Sequence, residues 1–146
     1  MNKIYYVLGL TALLAASCAK TQTDDEKIKA YIAEKGWQMQ STSDGLYYKI
    51  DSLGSGGSPV VTSLVRVRYK GYLLDGTVFD ENMTAEGYKN TLQSLIQGWQ
   101  LGIPKYQKGG GGKLIIPSTL GYGASGQGKI PANSPLVFDI NLVDFK

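Results

Sequence analysis

Leu64-Val65-Arg66-Val67-Arg68-Tyr69-Lys70 is the stretch that decides the fold, because from Val65 onward its apolar and basic residues alternate. A period of two places successive side chains on opposite faces of a β-strand, so Val65, Val67 and Tyr69 face a core and the basic residues face water. Downstream, Leu74-Asp75-Gly76-Thr77 contains Asp-Gly, a strong hairpin signal, so the strand turns back on itself. At the far end, Leu136, Phe138, Ile140 and Leu142 alternate with Val137, Asp139, Asn141 and Val143 and predict a final strand with one strongly apolar face. Between these lie Leu46-Tyr47-Tyr48-Lys49-Ile50, a first strand, and Leu114-Ile115-Ile116-Pro117, a buried strand ended by proline.

Little of the remainder is helical. Residues 94–99 read as a short helical turn that Gly98, Gly102 and Pro104 keep from lengthening. Residues 81–90 read as a polar loop, residues 119–135 as a long loop, and Gly54-Ser55-Gly56-Gly57-Ser58-Pro59 as a hairpin or surface loop. Before them, Asp24-Asp25-Glu26 opens a helix, with Asp24 as its cap, unless the acidic run is a sorting signal. Ile28, Tyr31 and Ile32 form its one apolar stripe, and Lys35-Gly36 ends it. The fold class is α+β: an antiparallel sheet with little helix and a short N-terminal helical extension.

Composition removes several chemistries. The 146 residues include no histidine and one cysteine, so a Ser-His-Asp triad, a Cys-His pair, an imidazole zinc site, an internal disulfide and a CxxC motif are all excluded. A net charge of +3 gives no case for a nucleic-acid partner. Nineteen glycines imply many tight turns, and ten tyrosines beside three phenylalanines hint at an aromatic pocket or surface.

The N-terminus is an address. Lys3 precedes an apolar run over residues 4–16 that is too short to span a bilayer and fits a secretory signal. Ala15-Ala16-Ser17-Cys18 resembles a bacterial lipobox, in which Cys18 is acylated and becomes the mature N-terminus. Ala15 and Ser17 equally suit ordinary signal peptidase, but the chain's only cysteine at this junction favours the lipoprotein. The expected organisation is a signal peptide over 1–17, a lipid-anchored tether with a short helix over 18–44, and one domain over 45–146. Its place is the bacterial cell envelope, on the periplasmic face or the cell surface.

Two glycine motifs mislead. Gly121-Tyr122-Gly123-Ala124-Ser125-Gly126 matches GxGxxG, yet Gln127-Gly128-Lys129-Ile130-Pro131 cannot open the helix that would hold a pyrophosphate. Gly109 to Gly112 before Lys113 lacks the leading Gly and the Ser or Thr of a phosphate loop, and reads as a turn.

The informative constellation is aromatic: Val67-Arg68-Tyr69-Lys70-Gly71, Leu74-Asp75-Gly76-Thr77-Val78-Phe79-Asp80, Leu95-Ile96-Gln97-Gly98-Trp99, Gly121-Tyr122-Gly123 and Pro135-Leu136-Val137-Phe138-Asp139. In this order and spacing they resemble the FKBP-type peptidyl-prolyl cis-trans isomerases, over residues 60–145. The resemblance implies a twisted antiparallel sheet wrapped around one short α-helix, and rotamase activity without cofactor or metal. It implies that Tyr69, Phe79, Asp80, Tyr122 and Phe138 serve catalysis and that Tyr88, Leu95, Ile96, Trp99 and Ile130 bind substrate. Trp99 would form the pocket floor and Tyr69, Phe79 and Phe138 its walls. Tyr122 would offer its hydroxyl and Ile96 its backbone N–H to a substrate carbonyl, and Asp80 would position Tyr69 or serve as a plain turn carboxylate. A buried indole or phenol, on this reading, asks for a polar partner.

Departures from the family pattern are Tyr88 in place of Phe, no Arg after Asp80, shorter loops, and Lys129 near a position that is often apolar. The implied partners are proline-containing segments of exported proteins, and the membrane through lipidated Cys18, with the protein a monomer that assists protein folding. The alternative is a membrane-anchored, non-catalytic module that holds proline-containing segments as a chaperone or adaptor.

Overall fold

The computed structural model describes residues 21–146; the expected signal peptide and Cys18 lie outside the described residues. Helix α1 (Asp24–Lys35) is followed by β1 (Gln40–Ser41), β2 (Tyr47–Ser52), β3 (Leu64–Leu73), β4 (Val78–Asn82) and β5 (Tyr88–Thr91). Then come α2 (Gln97–Gly102), β6 (Gly111–Ile116) and β7 (Leu136–Phe145). All seven strands join one antiparallel sheet in the order β1-β2-β6-β7-β3-β4, with β5 also on β3. This is the α+β architecture expected from the sequence.

β3 and β7 behave as their alternation predicts. Val65, Val67 and Tyr69 are buried, as are Leu136, Phe138, Ile140 and Leu142, and together with Leu114, Ile116, Ile103 and Trp99 they form the core between the sheet's inner face and α2. The 73–77 turn closes as Asp-Gly demands: Gly76 has φ +89°, and the Thr77 N–H donates to Asp75 Oδ1 at 2.9 Å. Burying each large apolar side chain contributes about 1.5–3 kcal/mol, so this face dominates the fold's stability.

Several local readings are corrected. The polar segment 81–90 is strand at both ends: β4 pairs with one half of β3 and β5 with the other, leaving a short connection over residues 83–87. Polar residues can occupy these strands because their outer faces meet water. The Gly-Ser stretch 54–59 is a surface loop rather than a hairpin, since β2 pairs with β1 and β6, not with β3. The helical turn begins at Gln97 instead of Ser94, after a 3-10 turn over Leu92–Ser94. Gly111 and Gly112 belong to β6 rather than to a turn. At both, a Cβ would fall within about 2 Å of a carbonyl oxygen, 2.2 Å from Ile140 O at Gly111 and 1.9 Å from Lys49 O at Gly112, so glycine is what permits the close strand approach.

α1 covers the sheet's outer face. Ile28 and Tyr31 pack on Tyr47, Ile115 and Val137, flanked by Trp37 and Tyr72. The N-cap is Thr23, not Asp24: its hydroxyl accepts from the Glu26 N–H while the Glu26 carboxylate accepts from the Thr23 N–H, a reciprocal capping box. Asp24 is turned instead to the sheet end, where its carboxylate accepts from the Ser118 N–H at 2.7 Å. Thr23→Ala should cost about 1 kcal/mol and lower the melting temperature by about 3–5 °C. An unchanged melting curve would mean that α1 frays independently of the sheet.

Candidate active site

The inner face of the sheet opens beside α2 into a cavity of about 340 Å³. Four strands, a helix and a loop each bring part of the wall. Trp99 comes from α2, which sits unusually close to the sheet. A Cβ at Gly98 would lie 2.4 Å from Ile116 Cγ2 and one at Gly102 2.5 Å from Leu114 Cδ1, so both glycines are needed to seat the helix on β6. Tyr69 rises from β3, Phe79 and Asp80 from β4, Tyr88 from β5 and Phe138 from β7. Gly71 lies under two of these rings: a Cβ there would be 2.6 Å from Phe79 Cε2 and 2.8 Å from Phe138 Cε1.

The rings meet edge to face. Trp99 is 5.0 Å from Tyr69 at 82° and 5.3 Å from Phe138 at 83°; Phe79 is 5.5 Å from Phe138 at 82°, and Tyr69 is 6.1 Å from Tyr88 at 78°. Such pairs contribute about 0.5–1.5 kcal/mol each beyond area burial, which fixes the wall's shape. Leu95 and Ile96 border the cavity where the 3-10 turn runs into α2, and Tyr122 and Ile130 come from the loop before β7. That loop confirms the rejection of a dinucleotide fingerprint, because turns rather than a helix follow Gly126.

Polar groups in the cavity divide into committed and free. Tyr69 donates its hydroxyl to Asp80 Oδ2 at 2.6 Å. Burial first, then that hydrogen bond, holds the Tyr69 phenol above the ordinary tyrosine value. Tyr88 Oη accepts from Asn90 Nδ2 at 2.9 Å. The Tyr122 hydroxyl makes no hydrogen bond among the described residues; its phenol too is pushed up, by burial and then by the negative charge of Asp80. Both phenols therefore stay protonated donors well above neutral pH. The Ile96 N–H, at the N-cap of α2, also has no acceptor among the described residues. Trp99 Nε1 is buried without a partner there, so the described residues do not supply the polar partner asked of its indole.

The structure thus gathers all ten residues singled out from the sequence around one cavity. Gln127, Gly128 and Lys129 line it as well. Their position immediately before Ile130 was the available signal, and only Lys129 stood out in the sequence, as a departure from pattern. Among the described residues no cluster of His, Cys, Asp and Glu could hold a metal ion.

Residues 56–143 match the family described as FKBP-type peptidyl-prolyl cis-trans isomerase. The chain is 42% identical over 117 residues to the FKBP-type peptidyl-prolyl cis-trans isomerase FkpA of Escherichia coli (strain K12), covering 80% of this chain and 43% of that protein. It is 38% identical over 142 residues to FkpA of Aeromonas hydrophila, covering 94% of this chain and 53% of the relative. It therefore spans about half the length of these curated relatives. The crystal structure of FkpA from Escherichia coli superimposes with a TM-score of 0.76 at 38% identity, covering 84% of this chain and 59% of the other. A peptidyl-prolyl cis-trans isomerase from Pseudomonas syringae pv. tomato does so with a TM-score of 0.72 at 30% identity, covering 84% and 93%. On sequence and structure alike, the chain belongs to the FKBP-type peptidyl-prolyl cis-trans isomerases.

Proposed function

We propose that the cavity binds Xaa-Pro segments and accelerates their cis-trans rotation by favouring the twisted amide. The observation that carries this reading is the union of six aromatic side chains with two uncommitted donors, the Tyr122 hydroxyl and the Ile96 N–H, around one cavity of about 340 Å³. That size suits a prolyl ring with its flanking backbone.

Resonance gives the peptide bond a rotational barrier of about 18–20 kcal/mol. At the twisted transition state the amide loses that resonance and its oxygen loses negative charge, so a water-poor aromatic pocket suits it better than the planar ground state. Each 1.4 kcal/mol of such preference is about tenfold in rate. In this mechanism Trp99 is the floor, Phe79, Tyr69 and Phe138 are the walls, and Leu95, Tyr88 and Ile130 complete the enclosure. Tyr122 and Ile96 N–H hold the backbone carbonyls that flank the rotating bond. Asp80 keeps the Tyr69 ring in place. No proton is transferred and no covalent step occurs, which agrees with a chain that lacks histidine.

The same reading assigns residues 45–146 to the isomerase domain and residues 18–44 to a tether that carries α1. Acylation of Cys18 would hold the protein at the bacterial envelope, where exported proteins are its substrates; the signal-like residues 1–17 support this.

The test is exchange of an Ala-Pro peptide by NMR, with and without the chain from Thr21 onward. Faster exchange is expected, and Tyr122→Phe should lower it about two- to tenfold, the worth of one neutral hydrogen bond. A folded protein that binds the peptide without accelerating exchange would make the cavity a holding site for proline-containing segments.

A further inference from the structure

Of the thirteen residues lining the cavity, only Asp80 and Lys129 carry a charge. They stand on different elements, Asp80 on β4 and Lys129 on the loop before β7, and no ion pair joins them. Asp80 already accepts the Tyr69 hydroxyl. Lys129 lines the cavity, is exposed and has no carboxylate partner among the described residues, so its three N–H donors are unpaired. The Gly121 to Ile130 loop contains no acidic residue that could neutralise it. Reciprocal bonds between Gln127 and Ile130, at 2.9 and 2.8 Å, close a tight turn that fixes the base of the lysine while its four-carbon stem stays free to reach.

We propose that Lys129 is a specificity-determining residue that favours Asp or Glu immediately before proline; this rests on the isomerase reading above. With the prolyl ring against Trp99, the side chain nearest the rotating bond belongs to the preceding residue, and it leaves the cavity through the mouth that Lys129 borders. A carboxylate there meets an unpaired ammonium, whereas a lysine meets a like charge. Asp80 acts the other way, but one of its oxygens is held by Tyr69, and Lys129 is the group with no competing contact. One exposed ion pair changes the rate only several-fold and weakens with salt.

The experiment compares kcat/KM of the full chain on Ala-Glu-Pro-Phe, Ala-Ala-Pro-Phe and Ala-Lys-Pro-Phe peptides at low and high ionic strength. The Glu peptide should be turned over about fivefold better than the Lys peptide at low salt, mainly through KM, with the ratio falling toward one at high salt. Lys129→Glu should reverse the order and Lys129→Met should flatten it. Equal turnover of all three by an active wild-type chain overturns the proposal and leaves the isomerase standing. A Glu preference that survives Lys129→Glu also overturns it, by showing that another group reads the charge. No turnover of any peptide by folded protein removes the isomerase reading and this one with it.

Discussion

Replacing Phe79 by alanine should lower kcat/KM on an Ala-Pro peptide about thirtyfold while leaving the protein folded. Phe79 is only partly buried, on β4 beside the open side of the cavity, and its ring meets Phe138 edge-on at 5.5 Å. Truncation removes one wall and lets water reach the rotating amide, which weakens the differential binding that constitutes the catalysis. A thirtyfold loss corresponds to about 2 kcal/mol of transition-state stabilisation. Most of it should appear in kcat, because a planar ground state gains less from that wall than a twisted amide does. Phe138→Ala is a poorer probe: that ring is 3% exposed in the middle of the core, and emptying such a position costs about 3–5 kcal/mol of stability. A Phe79→Ala protein with a native melting curve and less than a twofold change in rate would remove Phe79 from the catalytic wall.

The largest stability effect should come from Gly112→Ala. At the bulge that shifts the β2–β6 register between Ile50 and Ser52, the Lys49 carbonyl points at Gly112, and a Cβ would stand 1.9 Å from its oxygen. No side-chain rotation relieves this clash, since both atoms are main chain or directly attached to it. The strands must part. Parting them also pulls at the buried Tyr106, whose hydroxyl reaches the Lys113 carbonyl at 3.1 Å and the Lys49 carbonyl at 3.3 Å. A loss of about 3 kcal/mol or more follows, or about 10–15 °C in melting temperature. Gly57→Ala is the control, since its Cβ meets nothing within 4 Å, and its melting temperature should stay where it is or rise slightly. A Gly112→Ala protein that melts with the wild type would show that the β2–β6 pairing adjusts freely.

The sheet's inner face was legible where side chains obey a period of two. Val65, Val67 and Tyr69 on β3, and Leu136, Phe138, Ile140 and Leu142 on β7, announce which side is dry. β4 and β5 were not legible, because Asp80, Glu81, Asn82, Lys89 and Asn90 satisfy no hydrophobic period; their pairing follows from β3 being long enough to take two partners. The cover of α1 on the outer face had an unused signal. Leu114-Ile115-Ile116 and Leu136-Val137-Phe138 are continuous apolar runs, which mean burial on both faces. The Thr23 cap was missed because Asp24 is as good a cap by residue type, and only the docked position of α1 gives Asp24 another task. The ten pocket residues come from six separate segments, so nothing local joins them. Their common cavity was foreseeable through the spacing of the whole aromatic set and not through any one motif.

The strand between β6 and β3 is β7, the last of the described strands in chain order. β7 joins the two sides of the sheet, and its partners on β3 are about 60 to 80 residues away, from Leu73↔Leu136 to Val65↔Phe145. Pairings this remote close large loops before they return any contact energy, which places folding on the slow, millisecond-to-second side for small domains. During synthesis, β3 and β6 can exist only as separate fragments until residues 136–145 have emerged. Until then β2–β6 and β3–β4–β5 have no strand between them, so the sheet is completed only when β7 enters it.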